Sequence, residues 1–93
     1  SVSLLEILAK PGEKDPFVLL SMQQMKNKLA DAVSELDERE QLILSLYFQE
    51  EMNLKEIGEI LGIIESRVSQ IRTKTILKLR AKLRLMTRDG MED

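Results

Sequence analysis

Uncharged hydrogen-bonding side chains are concentrated in one stretch of the sequence, EIGEILGIIESRVSQIRTK at residues 56–74. In an α-helix, at about 100° per residue, the second half of this stretch places Val68 and Ile71 on one side. The hydroxyl and carboxamide groups lie on the roughly opposite side, at Ser66, Ser69, Gln70 and Thr73. Such groups carry no charge and add little to a core, so this side of the helix is suited to reading hydrogen-bond donors and acceptors on another molecule.

Three basic residues flank this polar side. Arg67 and Lys74 lie along one edge, and Arg72 lies along the other. Cationic groups placed in this way can bind the phosphates on both sides of a DNA groove, which makes affinity depend on salt. Hydroxyl and carboxamide groups on the first turns of a helix can hydrogen-bond base edges in the major groove, where glutamine prefers adenine. The spacing therefore predicts a helix that reads DNA.

The charge of the chain is strongly asymmetric, although the net value is −2. Residues 1–64 carry 6 basic and 12 acidic side chains, a balance of −6, whereas residues 65–88 carry 8 basic side chains and 1 acidic one, a balance of +7. A basic segment of this kind favours a polyanionic partner, and the alternative is a solvated helix whose charges only aid solubility. Three basic residues lie too far along to enter the same groove, so we expect them to be solvated or near phosphates at the helix end: Arg80, Lys82 and Arg84.

The composition leaves little for catalysis or metal binding. The chain has no Cys and no His, which removes thiol nucleophiles, the common thiolate and imidazole ligands and the usual general base at neutral pH. The glutamates show neither metal-ligand spacing nor an adjacent base, so we expect no enzyme, no metal and no cofactor. No apolar run approaches the roughly 20 residues that span a bilayer, and no signal peptide pattern opens the chain. We therefore expect a cytoplasmic protein without a membrane partner.

The pattern of apolar residues predicts one all-α domain, which at 93 residues can bury one modest core. Residues 1–16 contain a short apolar patch followed by Pro-Gly and Asp-Pro, which disfavour helix, so we interpret them as the end of a linker. Because the chain begins at Ser1 without an initiator methionine, we expect it to be a segment of a longer protein. Residues 17–93 form the domain. Its first helix is predicted from a buried stripe that follows Phe17: Val18, Met22, Met25, Leu29, Ala32, Val33 and Leu36.

Two capping boxes predict where the next helices begin. Asp37 with Glu40 opens a second helix over residues 38–51, EREQLILSLYFQEE, whose crowded apolar residues predict that it is largely buried. Asn53 with Glu56 opens a third helix of about two turns. The inward residues of the third helix are predicted to be Leu54, Ile57, Ile60 and Leu61.

A glycine separates the third helix from a long fourth one. Gly62 is placed to end the third helix by adopting a positive φ, and the fourth helix is predicted to run to about Met86. Its cap position falls on Ile64, whose side chain cannot accept a hydrogen bond from an exposed N–H, at a cost of about 1 kcal/mol. Its inward residues are predicted to be Val68, Ile71, Leu79, Leu83 and Met86. A short helix, a turn with glycine and an outward second helix form a helix-turn-helix, so we predict a four-helix all-α domain that ends in this arrangement.

Two segments carry a resemblance to a known family: LADAVSELDEREQLILSLYFQEEMNLKEIGEILG at residues 29–62 and ESRVSQIRTKTILKLRAKL at residues 65–83. They resemble region four, the C-terminal DNA-binding domain, of bacterial sigma factors of the sigma-70 family. The ESRVSQ segment is similar to the flagellar, or motility, and sporulation branch. The resemblance covers most of the chain, from about Ser21 to Leu83. It implies recognition of the minus thirty-five promoter element, for motility or developmental genes, by a domain whose apolar and acidic surfaces hold the flap of the RNA polymerase β subunit.

The resemblance also implies roles for individual residues. By position, Lys55 lies near phosphate, and Arg67 and Lys74 occupy sites that contact bases or backbone. One departure is Ile64, because relatives usually have Ser or Thr there, which caps the recognition helix and touches phosphate. The base-facing sites of the family fall on Ser66, Ser69 and Gln70.

Three further partners or functions follow from the resemblance and its alternatives. Members of this branch are commonly held inactive by an anti-sigma factor that covers this domain, so the resemblance implies a protein inhibitor as a partner. The output domain of a response regulator also ends in a helix-turn-helix after an E-R-E opening, although the LYFQEE and ESRVSQ segments argue against it. A third alternative is a helical protein-binding module whose basic helix docks an acidic partner or is buried by an inhibitor.

Overall fold

The computed structural model describes residues 4–8 and 22–92, and every regular element in these residues is helical. This confirms the all-α prediction. No helix of the described residues combines the length and the apolar character that crossing a membrane requires. The elements are α1 (Leu4–Leu8), α2 (Met22–Ser34), α3 (Glu38–Leu44), a π-helical turn (Ser45–Gln49), α4 (Leu54–Leu61) and α5 (Glu65–Glu92).

Buried apolar side chains form two clusters, and α5 contributes to both. The larger cluster contains Leu79 and Leu83 of α5 together with Leu8, Ala32, Leu36, Leu44 and Ile76. The smaller cluster joins α3, α4 and the start of α5 through Ile43, Ile57 and Val68, each of which is 0% exposed. Because α5 runs past both clusters, it holds the two halves of the domain together.

α1 packs against the larger cluster, although its residues were interpreted as part of a linker. Leu8 is only 2% exposed, and the Arg80 guanidinium donates a 2.8 Å hydrogen bond to the carbonyl oxygen of Ile7. α1 therefore covers part of the core. Residues 1–3 and 9–21 lie outside the described residues, so the boundary between linker and domain stays a prediction.

The first predicted helix is α2, which contributes most of the expected stripe. Ala32 is buried, and Met25, Leu29 and Val33 pack against the larger cluster. The prediction is wrong at Met22, which is 59% exposed because it stands on the first turn of α2, outside that cluster. Phe17 and Val18 lie outside the described residues.

Both predicted capping boxes are confirmed, and the one at α3 involves a buried glutamate. The Glu40 N–H donates a 2.8 Å hydrogen bond to Asp37 Oδ1, while Glu40 Oε1 accepts from the Asp37 N–H at 3.2 Å. Glu40 is 6% exposed, and its carboxylate also accepts from Lys78 Nζ at 2.9 and 3.0 Å and from the Thr75 hydroxyl at 3.3 Å. One carboxylate therefore caps α3 and fastens it to α5.

Two apolar residues are exposed against expectation, one in the helix predicted to be largely buried and one among the predicted inward residues of the third helix. Leu42 is 41% exposed because Glu40, Ile43 and Leu44 occupy the buried side of α3, and Leu42 lies on the far side of that helix. The second residue, in α4, is Ile60, which is 55% exposed. The buried side of α4 includes Gly58, and this rotates the inward face away from Ile60.

The second predicted helix ends in the π-helical turn, whose hydrogen bonds extend into the loop before α4. The Glu50 N–H donates to the Ser45 carbonyl at 3.1 Å, and the Met52 N–H donates to the Leu46 carbonyl at 3.0 Å. Glu51 has a φ of 54°, a left-handed conformation that costs a residue other than glycine roughly 1 kcal/mol or more. This turn directs the chain into the Asn53 cap of α4.

Three basic residues of α5 contact oxygen atoms of the domain itself. Lys78 pairs with Glu40, Lys82 Nζ lies 3.4 Å from Glu35 Oε2, and Arg80 binds the carbonyl of Ile7. The expectation that Arg80 and Lys82 are solvated or near phosphates is therefore wrong for Arg80, whose guanidinium binds a backbone carbonyl of α1, whereas the ion pair of Lys82 lies at the surface. Arg84 is exposed.

The Glu40 carboxylate makes the stability of the domain depend on pH. Burial acts to raise its pKa, but the hydrogen bonds from Lys78, the Asp37 N–H and the Thr75 hydroxyl, with the charge of Lys78, together lower the pKa below the ordinary value of 4.5. A lowered pKa in the folded state stabilises the fold above the unfolded pKa, and this stabilisation is lost as the pH falls through the folded pKa.

We therefore expect Glu40→Gln to lower the free energy of unfolding by about 1–2 kcal/mol at neutral pH, because it removes charge-assisted hydrogen bonds. The difference from wild type should shrink as the pH falls below 4.5, because the unfolded chain then binds a proton at Glu40, and it should vanish once the pH has passed through the lowered pKa of the folded carboxylate. Urea denaturation across this pH range measures both effects, with Glu59→Gln on the exposed side of α4 as the control. A difference that stays constant with pH would contradict the assignment.

Candidate nucleic-acid interface

α4 and α5 form the predicted helix-turn-helix, and α4 begins at its own capping box. The Glu56 N–H donates to Asn53 Oδ1 at 2.8 Å, and the Asn53 N–H donates to Glu56 Oε1 at 2.9 Å. Lys55 stands on this first turn and is exposed. The reciprocal hydrogen bonds therefore set where α4 starts and hold Lys55 at the surface.

Two glycines shape the turn between α4 and α5. Gly62 has a φ of 71° and a ψ of 31°, which confirms the predicted left-handed conformation, and its N–H donates to the Gly58 carbonyl. The Ile63 N–H donates to the same carbonyl at 3.0 Å. A Cβ at Gly58 would lie 2.6 Å from the carbonyl oxygen of Ile63, so the turn can approach α4 only because residue 58 has no side chain.

Sequence reasoning missed the role of Gly58. Its signal was available, since a glycine inside a short helix costs about 1 kcal/mol relative to alanine and usually has a packing reason.

The start of α5 has no side-chain cap. Ile64 is 71% exposed, and only its carbonyl takes part, accepting from the N–H groups of Arg67 at 3.0 Å and Val68 at 3.2 Å. The prediction that Ile64 cannot cap α5 agrees with this geometry.

Most of the predicted DNA-contacting residues lie on the outer side of α5. Val68 is fully buried, and the side of the helix away from it exposes Arg67 and Gln70, whose side chains meet at 3.5 Å between Nη1 and Oε1. This distance is at the limit of a hydrogen bond, so Gln70 stays available to other partners. Ser69 is half-buried at the edge of this surface. We call the exposed set the reading face: Ser66, Arg67, Gln70, Thr73 and Lys74.

Two surface concavities bring further basic side chains beside the reading face. The first lies between α4 and α5, and Lys55 and Arg67 both line it. The second, about 300 Å³ in volume, lies between the start of α3 and α5 and is lined by Arg39, Gln70 and Lys74 among others. Arg39 is an exposed cation that the sequence reasoning did not select, although it stands in the DERE segment.

Arg72 is placed differently from the other predicted contacts. It is half-buried, and its Cζ lies 4.8 Å from the centroid of the Tyr47 ring. The Tyr47 ring in turn meets Phe48 edge-on, with centroids 4.9 Å apart and planes at 76°. The structure therefore does not bring the Arg72 guanidinium to the reading face.

Comparison with known proteins identifies the family. The family model described as "Sigma-70, region 4" matches residues 32–81, which include α3, α4 and the first half of α5. The chain belongs to the sigma-70 family. The region 4 resemblance is thereby confirmed, and the response-regulator alternative is set aside.

Several relatives of this region 4 are sigma factors of the flagellar branch. The RNA polymerase sigma factor FliA of Pseudomonas aeruginosa is 51% identical over 72 residues, which cover 77% of this chain and 29% of the relative. FliA of Escherichia coli is 46% identical over 70 residues, 75% of this chain and 29% of the relative. The RNA polymerase sigma-D factor of Bacillus subtilis is 47% identical over 53 residues, 57% of this chain and 21% of the relative. These similarities place the chain in the flagellar branch.

The chain spans less than a third of the length of these relatives. No solved structure matches it.

An apolar groove lies on the surface of this region 4 where α1, the π-helical turn and the start of α4 meet. Its volume is about 570 Å³, and Ile7, Tyr47 and Leu54 contribute to its walls. Glu51 and Glu65 also line it, so the groove combines apolar walls with negative charge.

The turn geometry predicts that substitution of either glycine destabilises the fold, for a different reason at each position. Gly58→Ala should lower the free energy of unfolding by about 1–3 kcal/mol, because its Cβ would meet a backbone oxygen that cannot rotate away. Gly62→Ala should cost roughly 1–2 kcal/mol through its left-handed φ alone. Urea denaturation measures both, with Ser66→Ala on the exposed side of α5 as the control. Stabilisation by Gly58→Ala, as expected in an unconstrained helix, would refute the close approach.

Proposed function

We propose that this region 4 recognises the minus thirty-five element of promoters, as part of a cytoplasmic sigma factor that directs RNA polymerase to initiate transcription of motility genes. One observation carries the proposal: the reading face is exposed on the second helix of a helix-turn-helix in a chain of this family. Its role is binding rather than catalysis.

The side chains of the reading face would have two roles, hydrogen bonding to base edges and binding to phosphates. Gln70 can donate and accept at the major-groove edge of adenine, and the Ser66 hydroxyl can bond a neighbouring base. The predicted contacts at Ser69 and Thr73 lie at the edges of the same surface, where hydroxyls can reach bases or phosphates. Arg67 and Lys74 would grip the DNA backbone, together with Lys55 on α4.

Arg39 extends the proposed backbone contacts to α3. It shares a concavity with Gln70 and Lys74, so a strand held by Lys74 would pass close to its guanidinium. This adds a cation from a third helix, and three helices gripping one duplex fix its direction better than one.

We propose that the apolar groove at Tyr47 binds the flap of the RNA polymerase β subunit. Its apolar walls and the carboxylates of Glu51 and Glu65 match the apolar and acidic surfaces that the family resemblance implies. A single helix-turn-helix module buries limited surface on DNA, so it binds weakly by itself. Attachment to the polymerase would raise its effective concentration at the promoter.

A second candidate partner is an anti-sigma factor. Leu77 and Leu85 are 56% and 61% exposed on α5, with the exposed Ala81 between them at helical spacing. This apolar stripe continues the line of the reading face toward the C-terminal half of α5. A protein inhibitor that packed on the stripe would also cover the reading face, which accounts for inhibition by simple occlusion.

Substitution of Arg67 and substitution of Gln70 should change DNA binding in different ways. Arg67→Ala should weaken binding to all duplexes and lower the slope of log affinity against log salt by about 0.9, because one phosphate contact is lost. Gln70→Ala should instead change the preferred base at one position, with a loss of discrimination of about 1–3 kcal/mol. Titration of the chain against randomised duplexes at several salt concentrations measures both.

Gln23→Ala, an exposed glutamine on α2, serves as the control and should change neither property. Unchanged affinity, salt slope and base preference in both Arg67→Ala and Gln70→Ala would refute DNA reading by this surface and favour the protein-binding alternative.

A further inference from the structure

The guanidinium of Arg72 is committed to an aromatic ring of its own domain. Its Cζ lies 4.8 Å from the Tyr47 centroid, within the range of an attractive cation–π contact. Its Nε atom is buried and has no hydrogen-bond partner in the described part of the chain. Among the described residues, the Arg72 guanidinium contacts the face of the Tyr47 ring and forms no ion pair with a carboxylate.

The position of Arg72 around the helix separates it from the reading face. Gln70 and Arg72 are two residues apart, so their side chains leave α5 about 160° apart around its axis. Leu79, seven residues after Arg72, is 0% exposed and lies on nearly the same side of the helix. Arg72 therefore extends from the side of α5 that faces the protein.

The ring under Arg72 is itself held by the core. Tyr47 packs against the smaller cluster of Ile43, Ile57 and Val68, and Phe48 packs against the larger cluster. The edge-to-face contact of Tyr47 with Phe48 joins the two. The stack of Phe48, Tyr47 and Arg72 thus runs from the larger cluster to the recognition helix.

We propose that Arg72 is a positioning residue that sets the rotation of the recognition helix through Tyr47, and that it makes no phosphate contact. This inference rests on the proposed function, and it replaces the DNA contact predicted for Arg72 from the sequence. Arg72 acts on DNA recognition only by holding α5 so that Ser66 and Gln70 face the groove.

Small rotations of α5 are enough to matter. A helix with its side chains has a radius of about 5–6 Å, so a rotation of about 20° moves a side-chain tip by about 2 Å. Hydrogen bonds to base edges tolerate a donor–acceptor range of only about 0.5 Å. Loss of the stack should therefore weaken recognition of a preferred sequence more than general attraction to DNA.

Salt dependence distinguishes positioning from phosphate contact. Affinity is measured by fluorescence anisotropy on a duplex that the wild-type chain selects from a randomised pool, across a range of salt concentrations. Arg72→Met and Tyr47→Leu should each weaken binding about three- to tenfold with an unchanged salt slope, and the double variant should be no weaker than the weaker single variant. Lys74→Met, the matched loss of a cation from the reading face, should lower the slope by about 0.9.

A structural readout tests the stack directly and keeps the inference falsifiable if a variant is unstable. Tyr47 is the only tyrosine of the chain, and there is no tryptophan. Its ring current should move the NMR signals of the Arg72 side-chain protons upfield. That shift should disappear in Tyr47→Leu, remain in Tyr47→Phe, which keeps a ring, and persist when wild-type chain binds the duplex.

Each outcome has a definite meaning. A lower salt slope for Arg72→Met, equal to that of Lys74→Met, would overturn this inference alone, and so would loss of the upfield shift on DNA binding. Wild-type affinity in Tyr47→Leu would overturn it as well. If the wild-type chain showed no salt-dependent binding to any duplex, the proposed function would fail first and this inference with it.

Discussion

The rest of the structure depends on the packing of one helix, α5. One side of α5 contributes buried residues to both core clusters, and its opposite side forms the reading face. Burial of Val68 near its start and of Leu79 and Leu83 farther along fixes how the helix is rotated about its axis. That rotation decides which side chains remain outside. The exposure of Gln70 and Lys74 is therefore a consequence of core packing, and the geometry of the reading face follows from the hydrophobic effect.

The positive charge of α5 is divided between the fold and the exposed surface. Near the middle of the helix, Lys78 pairs with the buried carboxylate of Glu40, and Arg80 binds a backbone carbonyl of α1. In the N-terminal half, Arg67 and Lys74 are exposed beside polar groups. The net charge of a segment thus overstates what it offers to a polyanion, because part of it neutralises and hydrogen-bonds the protein itself. The acidic front half of the chain provides two of those partners, Glu35 and Glu40.

Local signals predicted the helices well, because caps and left-handed glycines depend on a few neighbouring residues. The capping box at Asn53 and the positive φ of Gly62 could be read directly from the order of residues. The exposure of Ile60 and the stacking of Arg72 could not, since both are decided by elements distant in the chain. The spacing of apolar residues shows that one side of a helix is apolar. It does not show which residue lies at the centre of the buried side when, as at Gly58, a glycine allows another segment to pack closely. The residues of the reading face share one helix, so helical spacing alone predicted that they lie on the same side, whereas Arg39 stands on α3 and only tertiary packing brings it beside them.

The π-helical turn has a consequence for how this sequence can change over time. In this wider winding the adjacent residues Tyr47 and Phe48 pack against different clusters, and two residues after the turn Glu51 adopts a left-handed conformation. Removing one residue there would rewind the segment as an ordinary helix and swing both rings off their targets. We therefore expect related sequences to differ from this one by substitutions within residues 45–51 and not by insertions or deletions there. The length of this segment should be more strongly constrained than the identity of its residues.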